Sequence, residues 1–329
     1  MPAGDQTVLR RIAPSHARPL LDVVFVHGLG GDDTATWTVR GASDSWLEWL
    51  GQDIPSIAVW SLCYPAGATK WTTAGEGMAL SDRAAGLIPT MLYYGIGSRG
   101  TVFVCHSLGG LIVKQILRHS AEMAMPAWRA IAVSTLGVAF LATPHSGSNL
   151  ASFLKVVPLS RPTRTALALT AHCPHLKELS DWYRQNAGRL GIETTAYAES
   201  RRLKRGFRFV TVVNTTSADP GISGCITTTL DSNHVDIAKP SDRATDAYRG
   251  VETFIRRQVT RADPATSAPS GLEDTPVDAR ALVVPPPDVV QKIREVQAMG
   301  EMQLLDQFEV KELKMGILNR HYGVTDADG

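Results

Sequence analysis

At 329 residues, with 44% hydrophobic and 20% charged side chains, the chain has the make-up of a soluble globular protein: one large domain, or one plus an appendage. Lys and Arg total 33 against 32 Asp and Glu, a net charge of +1, which gives no reason to expect nucleic acid as a partner. The four cysteines form no C-x-x-C pair and are expected as free thiols in a reducing compartment. Residues 1–11 lack the apolar core of a secretory signal and no apolar run is long enough for a membrane span, so the expected location is the cytoplasm.

In chain order, residues 7–12 predict an edge strand. Leu21 to Val26 is a buried-strand run that ends in His27-Gly28-Leu29-Gly30-Gly31. A dinucleotide fingerprint would need glycine at position 33, where Asp33 stands. The loop is better suited to offer a backbone N–H to an oxyanion, with His27 packing it from behind. Ser45 to Leu50 predicts a short helix, Ile57 to Tyr64 a strand and 79–94 a helix. Thr101 to Val104 reads as a strand buried on both faces, and from Leu108 the apolar residues fall at Leu108, Leu111, Ile112 and Ile116, which is helical spacing. Ser107 stands at the junction, flanked by the small residues Cys105 and Gly109. A strand that turns tightly into a helix lifts a serine hydroxyl above the sheet and aims the first helical N–H groups at the same point. The pattern is G-x-S-x-G with Cys105 in place of the first glycine.

Ala130 to Leu141 predicts another strand, followed by Ala142-Thr-Pro-His-Ser-Gly-Ser148. Strands alternating with helices imply a mostly parallel sheet covered on both faces, whose ligands bind at the carboxyl ends of the strands. Residues 149–192 read as a helical insert. Its apolar start (Leu150, Phe153, Leu154, Val157, Leu159) suits packing onto the core, or a lipid-contacting lid. His172-Cys173-Pro174-His175 invites a metal reading, but nothing nearby completes a tetrahedral set. Strands are predicted near 193–198 and 207–213. Two carboxylates then compete as partners for His234, which lies in a polar loop before a closing helix at 241–259. Glu199 ends the first of these strands, and Asp219 lies beyond the second. An acid directly after the penultimate strand and a histidine after the last fit Glu199 better, with Asp219 as the alternative. The basic run Arg201, Arg202, Lys204, Arg205 and Arg208 suits a solvated loop, or an anionic-lipid contact.

Four segments, Phe25-Val-His-Gly-Leu-Gly-Gly31, Cys105-His-Ser-Leu-Gly-Gly-Leu-Ile-Val-Lys-Gln115, Phe140-Leu-Ala-Thr-Pro-His-Ser-Gly-Ser148 and Ser232-Asn-His-Val-Asp-Ile-Ala-Lys-Pro240, together resemble one branch of the α/β-hydrolases. It is the lipase- and esterase-type branch with the inositol-deacylase-like and serine-active-site lipid-remodelling hydrolases, and the similarity covers about residues 20–258. The resemblance implies an α/β-hydrolase fold with its helical insert before the penultimate strand. It also implies a serine hydrolase of carboxylic esters, with acyl lipids as the expected substrates. Ser107 would be the nucleophile, His234 the base, Glu199 its orienting acid, and the Leu29 and Leu108 N–H groups the oxyanion hole. No metal or cofactor is implied. Acyl transfer to an alcohol or amine uses the same triad, and a non-catalytic interaction module is the rival of another class.

The expected domain therefore spans 1–260. Residues 261–287, ending in three prolines, read as a linker, and 288–329 as a C-terminal helical hairpin. Asp288 caps its first helix, and Asp306-Gln-Phe-Glu309 reads as the capping box of its second. Helices this short need a surface to dock on, which points to self-association or a protein partner through the hairpin. Peripheral membrane contact is open on this reading.

Overall fold

The computed structural model describes residues 7–12, 18–64, 80–123, 125–145, 173–205, 208–210 and 212–263. Contacts divide the chain into two units, Met1–Pro269 and Ser270–Gly329, and every described residue belongs to the first. The apolar start of the predicted insert, all but the first residues of the predicted linker, and the predicted hairpin lie outside the described residues.

A seven-stranded sheet forms the centre, in the order β1-β3-β2-β4-β5-β6-β9. Its strands are β1 (Val8–Arg11), β2 (Leu21–Val26), β3 (Ile57–Cys63), β4 (Gly100–His106), β5 (Thr135–Leu141), β6 (Glu193–Glu199) and β9 (Thr227–Leu230). The edge strand β1 runs antiparallel to β3, and every other pair in the sheet is parallel. Two short strands, β7 (Leu203–Arg205) and β8 (Arg208–Val210), make a separate antiparallel hairpin. Seven α-helices are described: α1 (Trp46–Asp53), α2 (Leu80–Tyr93), α3 (Gly109–Glu122), α4 (Pro126–Ser134), α5 (Cys173–Asn186), α6 (Thr215–Ala218) and α7 (Asp246–Ala262).

The central strands are apolar at odd and even positions alike because both faces are covered. Val24 and Val26 of β2, Phe103 and Cys105 of β4, and Val138 and Phe140 of β5 pack with α2, α3, α4 and α5. Their alternates (Val23, Phe25, Val102, Val104, Ala139, Leu141) pack with α1 and α7. Burying each such side chain contributes about 1.5–3 kcal/mol, so this three-layer core is what holds the strand ends in register. One polar exception sits in β2: Asp22 is wholly buried and accepts from Trp60 Nε1 at 2.9 Å and Arg99 Nε at 2.7 Å. A buried carboxylate needs such partners, and these two tie β2 to β3 and to the approach of β4.

Three sequence expectations are corrected. The run from Ala130 to Leu141 is not one strand: α4 occupies its first half and β5 begins at Thr135. Pro126 at the first helical turn starts that helix, and the Thr135 hydroxyl ends it by donating back to the Ile131 carbonyl at 2.6 Å. The segment 207–213 is not the last strand of the sheet. It gives only β8, while the last sheet strand is β9, a four-residue edge whose middle residues are exposed. The closing helix, expected at 241–259, instead spans Asp246–Ala262.

Candidate active site

From β2 the chain steps to one side to make β3, then crosses back to the other side of β2 to make β4. The carboxyl ends of β2 and β4 therefore flank the point where strand order reverses, and a crevice opens there. The glycine loop Gly28–Gly31 leaves β2 at this crevice, and Ser107 follows β4 directly.

Ser107 has φ 57°, in the left-handed region that side-chain-bearing residues rarely enter. Its N–H still bonds the Leu141 carbonyl at 2.9 Å, so the last rung of the β4–β5 ladder holds it from one side. Helix α3 begins two residues later and holds it from the other. The turn closes because Gly109 has no side chain: a Cβ there would collide with the carbonyl oxygens of Val26 and His27. Gly28 is equally constrained, since a Cβ on it would lie 2.7 Å from Ser107 Cβ and 3.0 Å from Ser107 Oγ. The strained serine is thus packed against the glycine loop, with backbone N–H groups around it. Among the described residues neither the Leu29 nor the Leu108 N–H has a backbone acceptor.

His234 comes to Ser107 from a loop between β9 and a 3-10 turn at Asp236–Ala238. Its Nε2 lies 3.1 Å from Ser107 Oγ, and its Nδ1 lies 2.7 Å from Glu199 Oε2. All three are buried: Ser107 and Glu199 are 2% exposed and His234 is 6%. A carboxylate only accepts, so Nδ1 carries the proton and Nε2 turns its lone pair toward the serine hydroxyl. The other Glu199 oxygen, Oε1, accepts from the Val212 and Val213 N–H groups at 2.7 and 3.0 Å. Those two amides fix the carboxylate in place and compensate its burial.

Of the two carboxylates that sequence left in competition, the structure brings Glu199 to the imidazole. Asp219 is exposed in a turn after α6, where its Oδ1 accepts the Gly221 N–H at 2.9 Å. His27 stacks on Tyr64 with ring centroids 4.3 Å apart and donates through Nδ1 to the Gly28 carbonyl at 3.0 Å. Burial lowers its pKa, and its ring packs against the glycine loop beside Gly31. His175, from the dismissed metal motif, pairs with Glu178 at 3.6 Å on α5. In the basic run, Arg201 makes a two-pronged pair with Asp231.

Sequence reasoning missed three contributors: the Val212 and Val213 amides, which act through backbone and leave no side-chain signature, and His106. His106 Nε2 lies 2.8 Å from the His234 carbonyl oxygen, and burial pushes its pKa down to about 3. A buried polar side chain directly before the elbow serine was the available signal.

Beside Ser107 and His234 a cavity of about 260 Å³ opens, with Leu29, Leu203, Val212 and Val235 among its walls. Among the described residues no cluster of His, Cys, Asp and Glu could hold a metal ion, and no helix is long and apolar enough to cross a membrane.

No protein-family model matches the chain. It is similar to Protein SERAC1 of Homo sapiens, 27% identical over 260 residues, which covers 73% of this chain and 39% of that protein. Protein SERAC1 of Danio rerio is 28% identical over 257 residues, covering 71% and 38%. The chain therefore spans well under half the length of the curated relatives it matches. Among solved structures it is similar to Bacillus licheniformis lipase BlEst2 in mature form, with 17% identity, a TM-score of 0.48, and coverage of 76% of this chain and 97% of that one. The sheet order, its lone antiparallel edge and the serine turn between β4 and α3 decide the architecture. The chain has the α/β-hydrolase fold. Within that fold the strand-to-helix turn at Ser107, the acid that ends β6 and a histidine after the last strand occupy the rim where such proteins carry their chemistry.

Proposed function

We propose that the chain is a serine hydrolase of carboxylic esters that works through an acyl-enzyme, with acyl lipids as its substrate class. One observation carries this reading: a strained Ser107 hydroxyl 3.1 Å from His234 Nε2, with Glu199 2.7 Å behind the same ring. The Ser107 proton passes to His234 Nε2 as Oγ attacks the ester carbonyl, and Glu199 stabilises the imidazolium that results. The Leu29 and Leu108 N–H groups receive the tetrahedral oxyanion, where losing one donor typically costs about a hundredfold or more. The alcohol then leaves with the proton from His234, and the acyl group remains on Ser107. Water, deprotonated by the same imidazole, releases the acid and restores the hydroxyl.

The apolar walls of the cavity, Leu29, Leu203, Val212 and Val235, support an acyl chain as the group that faces the serine. The four segments that resemble the lipase- and esterase-type hydrolases point to the same class. The test is turnover of p-nitrophenyl esters of increasing acyl length. Wild type should hydrolyse them, and Ser107→Ala should lose about a thousandfold or more in kcat. Equal rates for the two proteins would refute the proposal.

A further inference from the structure

Residue 234 sits in a loop, and a loop histidine is a poor base unless something holds its backbone still. The side-chain end of His234 is fixed through Nδ1 by Glu199. On either side of residue 234 the loop is anchored to the fold: the Ser232 carbonyl accepts from the Ser200 and Arg201 N–H groups at 3.2 and 3.0 Å, and the Ala238 carbonyl from Trp46 Nε1 at 2.9 Å. Nearer the imidazole, the bonds of Asn233 are internal to the loop and would move with it. Asn233 Oδ1 accepts from the Val235 and Asp236 N–H groups at 2.9 and 3.0 Å, and the Asn233 carbonyl accepts from Ile237 N–H at 3.0 Å. The bond from His106 acts on the carbonyl of residue 234 itself. It spans 128 residues of sequence and joins the main chain of the base to the last residue of β4.

We propose that His106 is a positioning residue for the base: its Nε2–H, donated to the His234 carbonyl at 2.8 Å, clamps the backbone that carries the imidazole. The proposal rests on the reading of Ser107 and His234 as nucleophile and base. A carbonyl oxygen only accepts, so His106 must carry its proton on Nε2, and that nitrogen is unavailable as a base. The ring is buried, 5.0 Å from the His234 ring and 6.4 Å from Trp37 between centroids, so it has little room to rotate away. Burial, aided by the neighbouring His234, keeps it neutral and the donor tautomer intact at every pH where an esterase of this kind would work. His106 also directly precedes Ser107. Nucleophile and clamp therefore leave β4 as successive residues, and a shift of the elbow carries the base along with the serine. The separation of Ser107 from His234 is then coupled directly to the end of β4. Displacing a reacting group by about 1 Å can cost about a hundredfold, which is the scale of what the clamp protects.

The test compares His106→Phe, which keeps a ring but has no donor, with His106→Gln, whose amide nitrogen can reach the same carbonyl. Kinetics on a p-nitrophenyl ester are normalised to sites titrated by a fluorophosphonate. His106→Phe should lose about tenfold to a hundredfold in kcat with KM nearly unchanged, and His106→Gln should recover most of the loss. A merely structural role would lower the titrated fraction and Tm, but leave kcat per site intact and show no split between the two variants. That pattern would overturn the clamp. Nitrogen-15 NMR of the histidines gives a readout free of activity: His106 should be the neutral Nε2–H tautomer from pH 5 to 9. An Nδ1–H tautomer, or titration near 6.5, would also overturn it, even if the variants fail to fold. Wild-type protein without Ser107-dependent turnover, but with the Nε2–H tautomer in place, would defeat the catalytic reading and leave the hydrogen bond standing.

Discussion

Glu199 does two things with one carboxylate, and they can be separated. Oε2 faces the His234 ring, while Oε1 receives two main-chain N–H groups. In Glu199→Gln the amide oxygen can keep the Val212 and Val213 bonds, but its NH2 then meets the Nδ1–H donor to donor. The imidazole is driven to the Nε2–H tautomer and cannot take the serine proton. Turnover should fall by about ten-thousandfold with a small change in the urea midpoint. Glu199→Ala should lose stability as well, about 1–3 kcal/mol for each amide left without an acceptor. A Glu199→Gln enzyme with near-normal kcat would contradict the assigned role. That Ser107, Glu199 and His234 would meet was legible in sequence, because a hydroxyl, a carboxylate and an imidazole in that chain order are few. The choice between Glu199 and Asp219 was only weakly legible. What holds Glu199 beside the ring is the fold of 212–213 over it, and a backbone amide leaves no trace in a residue's identity.

The elbow works as an element because α3 can press its first turn onto the end of β2. Gly109→Ala puts a methyl group against the carbonyl oxygens of Val26, the last residue of β2, and of His27, which accepts from the Tyr64 hydroxyl. This substitution should cost about 1–3 kcal/mol and displace Ser107, lowering both the urea midpoint and turnover. Gly86, exposed in α2 with nothing within 4 Å of its would-be Cβ, is the matched control. Gly86→Ala should gain about 0.5–1 kcal/mol and leave turnover alone. If the two substitutions behaved alike, the tight packing of the elbow would not be what holds it. At this scale the buried strands β2, β3 and β4 were readable because apolar residues fill both faces. The errors came where that signal fails. Residues 130–134 have strand-like composition but are set as helix by Pro126 upstream. The edge strand β9, Thr227-Thr-Thr-Leu230, has only one buried residue and gives no apolar run.

Across the whole molecule, the buried imidazoles set the acid limit. His27, His106 and His145 are each buried, and burial lowers the pKa of all three. Unfolded, they would titrate near 6.5, so below that pH the unfolded chain binds protons that the folded chain refuses. Stability should therefore fall as pH drops from about 6.5, by up to about 4 kcal/mol per pH unit if all three take up a proton on unfolding. Tm measured at pH 7.5 and 5.5 should differ by many degrees, and His145→Phe should flatten the slope. A Tm independent of pH over that interval would mean that these rings are not held neutral. The parallel sheet and its covered faces could be read from the alternation of strands and helices. The reversal of strand order at β2 and β4, which creates the crevice, is a property of the assembled sheet and of no single segment.

The most direct measurement is to treat the folded protein with a fluorophosphonate and find the modified residue by peptide mass spectrometry. A single adduct on Ser107, lost in Ser107→Ala and strongly slowed in His234→Ala, is the result this account predicts. A well-folded protein that takes up no label, or takes it up elsewhere with Ser107 untouched, would contradict it.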